Sequence, residues 1–325
     1  MSPKQEIAVI QDPSAHMLAH HCGPQKAGVV PTKIDGLRMF WGREGSAAAP
    51  LIYDSGIVLV FQGRKVGYLG DRHFIYDADN YLVLTMPVPF ECATEATVQE
   101  PLFGLFVDLR RQDLIPLIAQ MEETGFKFPD CPRGEIGQAV APAPISSDMA
   151  CAAGRLLRSL SDPVSASLLG PELRREVLFH ALRGPRGAAL VAMTRHATSD
   201  DRIDRVLRAI QRDIARSVNV DTLAGEAGMS TSAFHRTFRE TTGHSPLQYL
   251  KRMRLHAARR MIAFDAARVG DAAHQVGYES LSQFSREYRR LFGEPPTSAR
   301  ASASTSPEAF VEPMIVSAPQ LSKPN

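Results

Sequence analysis

Residues 227–243 read AGMSTSAFHRTFRETTG, and residues 276–293 read VGYESLSQFSREYRRLFG. A shift of 50 residues places like residues on one another in the pairs Ser230 and Ser280, Phe234 and Phe284, Arg236 and Arg286, and Arg239 and Arg289. Gly228 meets Gly277 at a shift of 49, so one unit has an extra residue in its turn. The chain therefore carries a duplicated supersecondary unit.

Each unit has the local signals of two short helices joined by a glycine turn. In the first unit Asp221 is a candidate cap for a helix over Asp221–Ala227, and Gly228 can adopt the positive φ that ends it. Ser230 then caps a second helix, which Gly243 ends. The second unit repeats this order with a helix at Asp271–Val276, a turn at Gly277 and a helix at Ser280–Leu291. This order of elements predicts two helix-turn-helix units.

The second helix of each unit has an aromatic face and a polar face. Phe234 and Phe238 lie four residues apart, as do Phe284 and Tyr288, so each pair shares the inward face. The predicted DNA contacts on the polar faces are Thr231, Ser232, His235, Arg236 and Arg239 in the first unit, and Ser282, Gln283, Ser285, Arg286 and Arg289 in the second. For one such helix a merely solvated face is an equal alternative, but the repetition favours DNA reading.

A long helix is predicted between the units, over Pro246–Phe264 with Ser245 as its cap. At about 1.5 Å per residue it spans roughly 28 Å, which suits two reading helices in successive major grooves about 34 Å apart. Its candidate phosphate contacts are Lys251, Arg252, Arg254, Arg259 and Arg260. Residues 200–300 hold 17 Lys and Arg against 12 Asp and Glu, although the whole chain has a net charge of only +2. Since 16 of those cations are arginine, the segment suits phosphate oxygens and guanine edges.

These motifs resemble the DNA-binding domain of the AraC/XylS family over about residues 200–300. The resemblance rests on residues 227–238, on Thr242-Gly-His-Ser-Pro, on Ala258-Arg-Arg-Met and on the run from Val276 to Pro296. It implies a seven-helix domain whose two helix-turn-helix units read an asymmetric site.

The first half of the chain has a different pattern, of short strands followed by helices. The predicted strands are Leu37–Trp41, Ile57–Phe61, Val66–Leu69, His73–Tyr76, Tyr81–Met86 and Leu102–Leu109, and the predicted helices are Asp113–Glu123, Asp148–Leu160 and Pro171–Leu182. Strands at this spacing favour a small barrel or a double-sheet jelly roll. Val58-Leu-Val-Phe-Gln-Gly-Arg-Lys, Leu69-Gly-Asp-Arg and Tyr81-Leu-Val-Leu resemble the cupin-like N-terminal domain of one branch of the same family. That resemblance implies effector sensing or dimerisation.

The predicted fold is therefore α+β: a cupin-like β-barrel with flanking helices, then an all-α domain. The domain bounds are a flexible N-terminus at 1–30, the sensor or dimerisation domain at 31–192, a linker at 193–201, the DNA-binding domain at 202–300, with its units at about 221–243 and 269–293, and a disordered tail at 301–325. The leucines of Asp148–Leu160 and Pro171–Leu182 suit a dimer seam or packing onto the barrel, and both alternatives stay open.

A candidate effector pocket is formed by Trp41, Tyr53, Phe61 and Tyr68, for which core packing is the alternative. We expect no metal and no cofactor, because His73 lacks the His-x-His pattern of metal-binding cupins and His20-His21-Cys22 has no partner cluster. For Cys92 and Cys131 there are two alternatives, which are redox sensing and the ordinary role of a small buried apolar residue. No apolar run approaches the roughly 20 residues that span a bilayer, and we expect no signal peptide and a cytoplasmic protein.

The sequence thus predicts a non-enzymatic transcription regulator that binds double-stranded DNA. The expected partners are DNA, a small-molecule effector, RNA polymerase and a second copy of the chain. Two alternatives are enzymes: a cupin-type metalloenzyme, and a DNA-modifying enzyme fused to a DNA-targeting domain. The second needs a reactive cysteine with activating neighbours, and Cys131-Pro132-Arg133 has no nearby histidine.

Overall fold

The computed structural model describes residues 26–129, 139–194 and 201–305. The residues before position 26, most of the tail, the His20-His21-Cys22 group and Cys131 lie outside this range. Within it, the mixed fold is confirmed: a sheet-rich domain is followed by an all-helical domain.

The N-terminal domain contains two antiparallel sheets. Its strands are β1 (Ala27–Pro31), β2 (Leu37–Gly42), β3 (Ser46–Tyr53), β4 (Gly56–Gln62), β5 (Arg64–Leu69), β6 (Arg72–Tyr76), β7 (Asn80–Leu84), β8 (Val88–Glu95), β9 (Leu102–Asp108) and β10 (Val140–Pro144). One sheet has the order β1-β2-β9-β4-β7-β10 and the other the order β3-β8-β5-β6. Neither closes on itself within the described residues, so closure into a barrel is not confirmed.

Strand β4 shows why the larger sheet is covered on both faces. Successive side chains of a strand point to opposite faces, and here both sets are apolar. Ile57 and Leu59 pack against the helices of the domain, whereas Val58 and Val60 pack towards the smaller sheet. The strand is central, since Val58 lies opposite Leu82 of β7 and Phe106 of β9.

Five helices of the described residues accompany the sheets. They are α1 (Arg111–Glu123), α2 (Ser147–Ser159), α3 (Pro163–Leu168), α4 (Gly170–Arg183) and α5 (Gly187–Thr194). The leucines that suited either a dimer seam or packing include Leu156, Leu157, Leu178 and Leu182, all of which are buried against the larger sheet. These four side chains therefore pack within their own domain.

The sequence pattern did not predict four of the strands, and all four contain proline. Proline lacks the N–H of a ladder and is tolerated at sheet edges, and both β1 and β10 are edge strands. Strand β3 is also an edge strand, and its first four residues are exposed alanines and a serine with no alternation. Strand β8 is an internal strand although it contains Pro89. Its composition therefore did not predict a strand.

The C-terminal domain is helical throughout. Its helices are α6 (Asp201–Arg212), α7 (Val220–Glu226), α8 (Thr231–Thr242), α9 (Pro246–Ala263), α10 (Val269–Gln275), α11 (Leu281–Phe292), a 3-10 turn at Pro296–Ser298 and α12 (Ala299–Thr305). One core forms around the first helix-turn-helix unit and a second around the other, and α9 contributes side chains to both. This sharing joins the two units into one domain.

Candidate nucleic-acid interface

The two turns have the same backbone geometry, as the repeat predicts. In the first, Gly228 has φ +59° and the N–H of Met229 donates to the carbonyl of Ala224 at 2.9 Å. In the second, Gly277 has φ +86° and the N–H of Tyr278 donates to the carbonyl of Ala273 at 3.0 Å. This hydrogen bond across six residues closes a helix end, so each glycine sets the angle at which the next helix leaves.

The helix caps agree with the sequence at three positions and differ at one. Ser230 accepts from the N–H of Ala233, Ser280 from that of Gln283 and Ser245 from that of Gln248. The expected cap Asp221 lies inside α7, and Asn219 caps this helix instead, with its side-chain oxygen 2.9 Å from the N–H of Asp221. Asp221 accepts a hydrogen bond from the Thr231 hydroxyl at 2.8 Å, which joins α7 to α8.

Buried aromatic pairs fix which face of each second helix reaches solvent. Phe234 and Phe238 are fully buried, with ring centroids 5.4 Å apart, and Phe284 and Tyr288 are equally buried at 5.6 Å. Because these rings occupy the inward face, most of the predicted DNA contacts lie on the outward face. The exposed ones are Thr231, Ser232, His235, Arg236, Arg239, Ser282, Gln283, Arg286 and Arg289, whereas Ser285 is half-buried.

Helix α9 carries cations with different roles. Arg254 donates to the carbonyls of Ile214, Ala215, Arg216 and Gly277, so its guanidinium joins α9 to the segment between α6 and α7 and to the turn of the second unit. Arg259 is buried and pairs with Glu294 at 3.1 Å. These two predicted phosphate contacts hold the domain together. Sequence pattern did not separate them from the surface cations, because their partners lie far along the chain.

The two domains contact each other through β3, β8 and the loop before β8. Ile52 of β3 is fully buried in the core of the first unit. The Tyr249 hydroxyl donates to the Pro87 carbonyl at 2.9 Å. Nε2 of His244 lies 2.7 Å from the Pro89 carbonyl oxygen. Burial lowers the pKa of His244 to about 4, so its ring is neutral near pH 7 and Nε2–H is the donor.

Two predicted DNA contacts face carboxylates of the N-terminal domain. Arg239 lies 3.5 Å from Asp71, and both side chains are exposed. Arg252 is more enclosed and lies 3.9 Å from Glu91. These four side chains belong to or border a cleft of about 380 Å³ between the domains, which is also lined by Tyr68, Phe90 and His244. The two carboxylates lie more than 160 residues from their arginine partners in the sequence, so no local sequence pattern predicted these contacts.

The four aromatic residues of the expected effector pocket lie in three different places and do not line one pocket. Trp41 and Phe61 pack between the larger sheet and the helices, and Tyr53 packs between the two sheets. Tyr68 is exposed and lines the cleft between the domains. Cys92 is buried with its Sγ 3.1 Å from the Tyr76 hydroxyl.

Comparisons with known proteins match both domains. A family model described as the AraC-type transcriptional regulator N-terminus matches residues 33–189, and a helix-turn-helix domain model matches residues 223–302. A putative AraC-like transcription regulator of Streptomyces lividans is 34% identical over 136 residues, which cover 41% of this chain and 45% of that protein. The transcriptional activator RhaS of Escherichia coli is 32% identical over 102 residues, which cover 31% of this chain and 37% of RhaS. The matches thus span less than half of the length of these relatives.

A solved structure extends the likeness in fold to most of the chain. ToxT of Vibrio cholerae, crystallised with a bound unsaturated fatty acid, aligns over 80% of this chain and 92% of its own, with a TM-score of 0.54 and 11% identity.

No helix in residues 26–129, 139–194 or 201–305 is long and apolar enough to cross a membrane.

Proposed function

Since the chain belongs to the AraC/XylS family, we propose that it is a transcription regulator that binds specific double-stranded DNA sequences through α8 and α11. The observation that carries this proposal is the pair of matching helix-turn-helix units. In each, buried aromatic rings turn the polar face of the second helix to solvent. Arginines on those faces supply forked donors suited to guanine edges and phosphates.

The dimensions of α9 support binding to adjacent grooves. Its 18 residues span about 27 Å at the α-helical rise. The reading helices flank it at either side, and successive major grooves lie about 34 Å apart on one face of the duplex. We therefore expect an asymmetric site with two blocks of preferred bases.

The test is selection of bound sequences from a randomised duplex library with the full chain. We expect two blocks centred roughly 10 base pairs apart. Arg236→Ala should relax the preference at one base position of one block and Arg286→Ala at one base position of the other, each at a cost of about 1–3 kcal/mol in binding free energy. Arg158→Ala, an exposed position on α2, is the control and should change neither. Failure to enrich any sequence would refute the proposal.

The N-terminal domain is the proposed site of control. Asp71 and Glu91 approach Arg239 and Arg252, so the position of this domain affects the charge that DNA meets. The 380 Å³ cleft has the size of a small ligand site. ToxT was solved with an unsaturated fatty acid, so oleate is the first ligand to test by thermal shift. No stabilisation by oleate would remove this candidate ligand.

Dimerisation is a further part of the proposal. Val164, Leu168 and Leu169 are 63%, 71% and 56% exposed near the junction of α3 and α4, and adjoining exposed apolar side chains suit a second copy. Light scattering of the full chain and of Leu168→Glu tests this, and a monomeric wild type would contradict it. Contact with RNA polymerase is tested by transcription in vitro from a selected site.

A further inference from the structure

An acidic residue outside the predicted contact set holds one of the predicted reading side chains. Glu287 lies on α11, one turn after Gln283. Its carboxylate accepts three hydrogen bonds: from Lys251 at 2.9 Å, from the Tyr278 hydroxyl at 2.8 Å and from Nε2 of Gln283 at 3.2 Å. These donors come from α9, from the turn and from α11 itself. The carboxylate therefore ties the reading helix to its two supports.

Glu287 is ionised in this setting. Burial by itself raises the pKa of a carboxyl group, but the hydrogen bonds from Lys251, Tyr278 and Gln283 and the charge of Lys251 outweigh burial, so the pKa of Glu287 is lowered. Tyr278 remains a protonated donor, because burial raises the pKa of its hydroxyl. An ionised carboxylate has no proton to donate and can only accept.

This restriction fixes the orientation of the Gln283 amide. An amide can be turned so that either its oxygen or its nitrogen faces a neighbour, and the neighbour decides which. Beside Glu287 only the NH2 group makes a hydrogen bond, and that bond uses one of its two N–H groups. The carbonyl oxygen and the second N–H remain for another partner, in a fixed relative position.

That remaining edge matches one base. Adenine offers the N6 amino donor and the N7 acceptor side by side in the major groove, and a glutamine can bind both. Guanine offers two acceptors at the corresponding positions, which repel the carbonyl oxygen of a fixed amide. We propose that Glu287 is a positioning residue that holds Gln283 in the orientation that reads adenine. The inference rests on the proposed function, since it deepens the reading of DNA by α11.

The same hydrogen bonds are also compatible with a purely structural role, in which Glu287 links α9 to α11. Substitution of Lys251 distinguishes this role from the positioning of Gln283. Replacing Lys251 by methionine removes the link to α9 but leaves the bond between Glu287 and Gln283. Replacing Glu287 by alanine removes both. Glu279→Ala is the charge control, because this exposed residue precedes α11 and its loss also removes one negative charge.

The experiment is library selection with the full chain, followed by affinity measurements on duplexes that differ at one base pair. We expect the wild type to prefer adenine at one position of the second block and Gln283→Ala to lose this preference. Glu287→Ala should reduce it by about 2- to 10-fold, which corresponds to the ordering of one flexible side chain. Preferences elsewhere in that block should persist. Lys251→Met removes a candidate phosphate contact, so it should weaken all duplexes about equally and keep the adenine preference. Glu279→Ala should also keep the adenine preference.

Three results would overturn the inference: an unchanged adenine preference in Glu287→Ala, an equal loss at every position of the block, or a Gln283-dependent preference for another base. Thermal unfolding of each variant identifies a loss caused by misfolding, and preferences in the first block give an internal check. A wild type that enriches no sequence overturns the proposed function itself. A wild type that enriches sites without a Gln283-dependent position overturns only this inference.

Discussion

Gly228 and Gly225 allow the backbone requirement of the first turn to be tested with one substitution at two positions. Both glycines are exposed, and a Cβ added at either would meet no atom within 4 Å. They differ in conformation: Gly228 has φ +59°, whereas Gly225 lies in α7 without a positive φ. Because the added Cβ makes no contact at either position, the two alanine variants differ only in how well alanine tolerates the local backbone conformation.

The two alanine variants should shift stability in opposite directions. An L-residue in the left-handed region costs about 1–2 kcal/mol, partly offset by about 0.4–1 kcal/mol from the restricted unfolded chain. Gly228→Ala should therefore destabilise the domain by about 0.5–1 kcal/mol. Gly225→Ala should stabilise it by a similar amount, because alanine favours a helix over glycine by roughly 0.5–1 kcal/mol. Gly228→Val should lose more, since a β-branched residue disfavours positive φ strongly.

Thermal unfolding of the full chain, followed by DNA binding, measures this difference. A change of 1 kcal/mol moves the midpoint of a domain of about 100 residues by roughly 4 °C or more. Gly228→Val should also weaken binding to selected DNA, because α8 would leave the turn at another angle. Shifts of the same sign in both alanine variants, or full stability and binding in Gly228→Val, would refute the account of the turn.

Three further predictions concern charge. Affinity for DNA should fall with a log–log salt slope of about −5 if six phosphates are neutralised, and a flat dependence would remove the electrostatic argument. Arg252→Ala should weaken binding to all DNA sequences about equally. The loss of affinity should be smaller if Glu91 still neutralises the guanidinium when DNA is bound. Parallel titrations of selected and random DNA measure both affinities. His244 is neutral in the fold with a pKa of about 4, below the usual value of about 6.5, so the unfolded state binds more protons between these values. Stability should therefore fall as pH drops from 6.5 to 4, and the slope should decrease in His244→Gln; an unchanged slope would contradict the role of this ring.

Local features of the helical domain followed from the sequence because neighbouring residues decide them. A serine cap needs a backbone N–H three residues ahead, and both Ser230 and Ser280 have one. A helix end with positive φ favours glycine at Gly228 and Gly277. Aromatic residues four apart must share a helix face. These short-range rules predicted both helix-turn-helix units and the face each presents, with Asn219 in place of Asp221 as the one different cap.

The partners of the charged and polar side chains and the arrangement of the sheets depend on contacts between residues that are distant in the sequence. Strands β1 and β10 are formed by proline-containing segments, because at a sheet edge one side needs no donors. Arg254 donates hydrogen bonds to four carbonyls within its own domain, whereas Arg252 faces Glu91 across the domain interface. Both arginines lie on α9 two residues apart, and sequence alone treats them alike. Their roles differ because hydrogen bonds and ion pairs require approach within a few ångströms, and the fold sets that approach between residues distant in sequence.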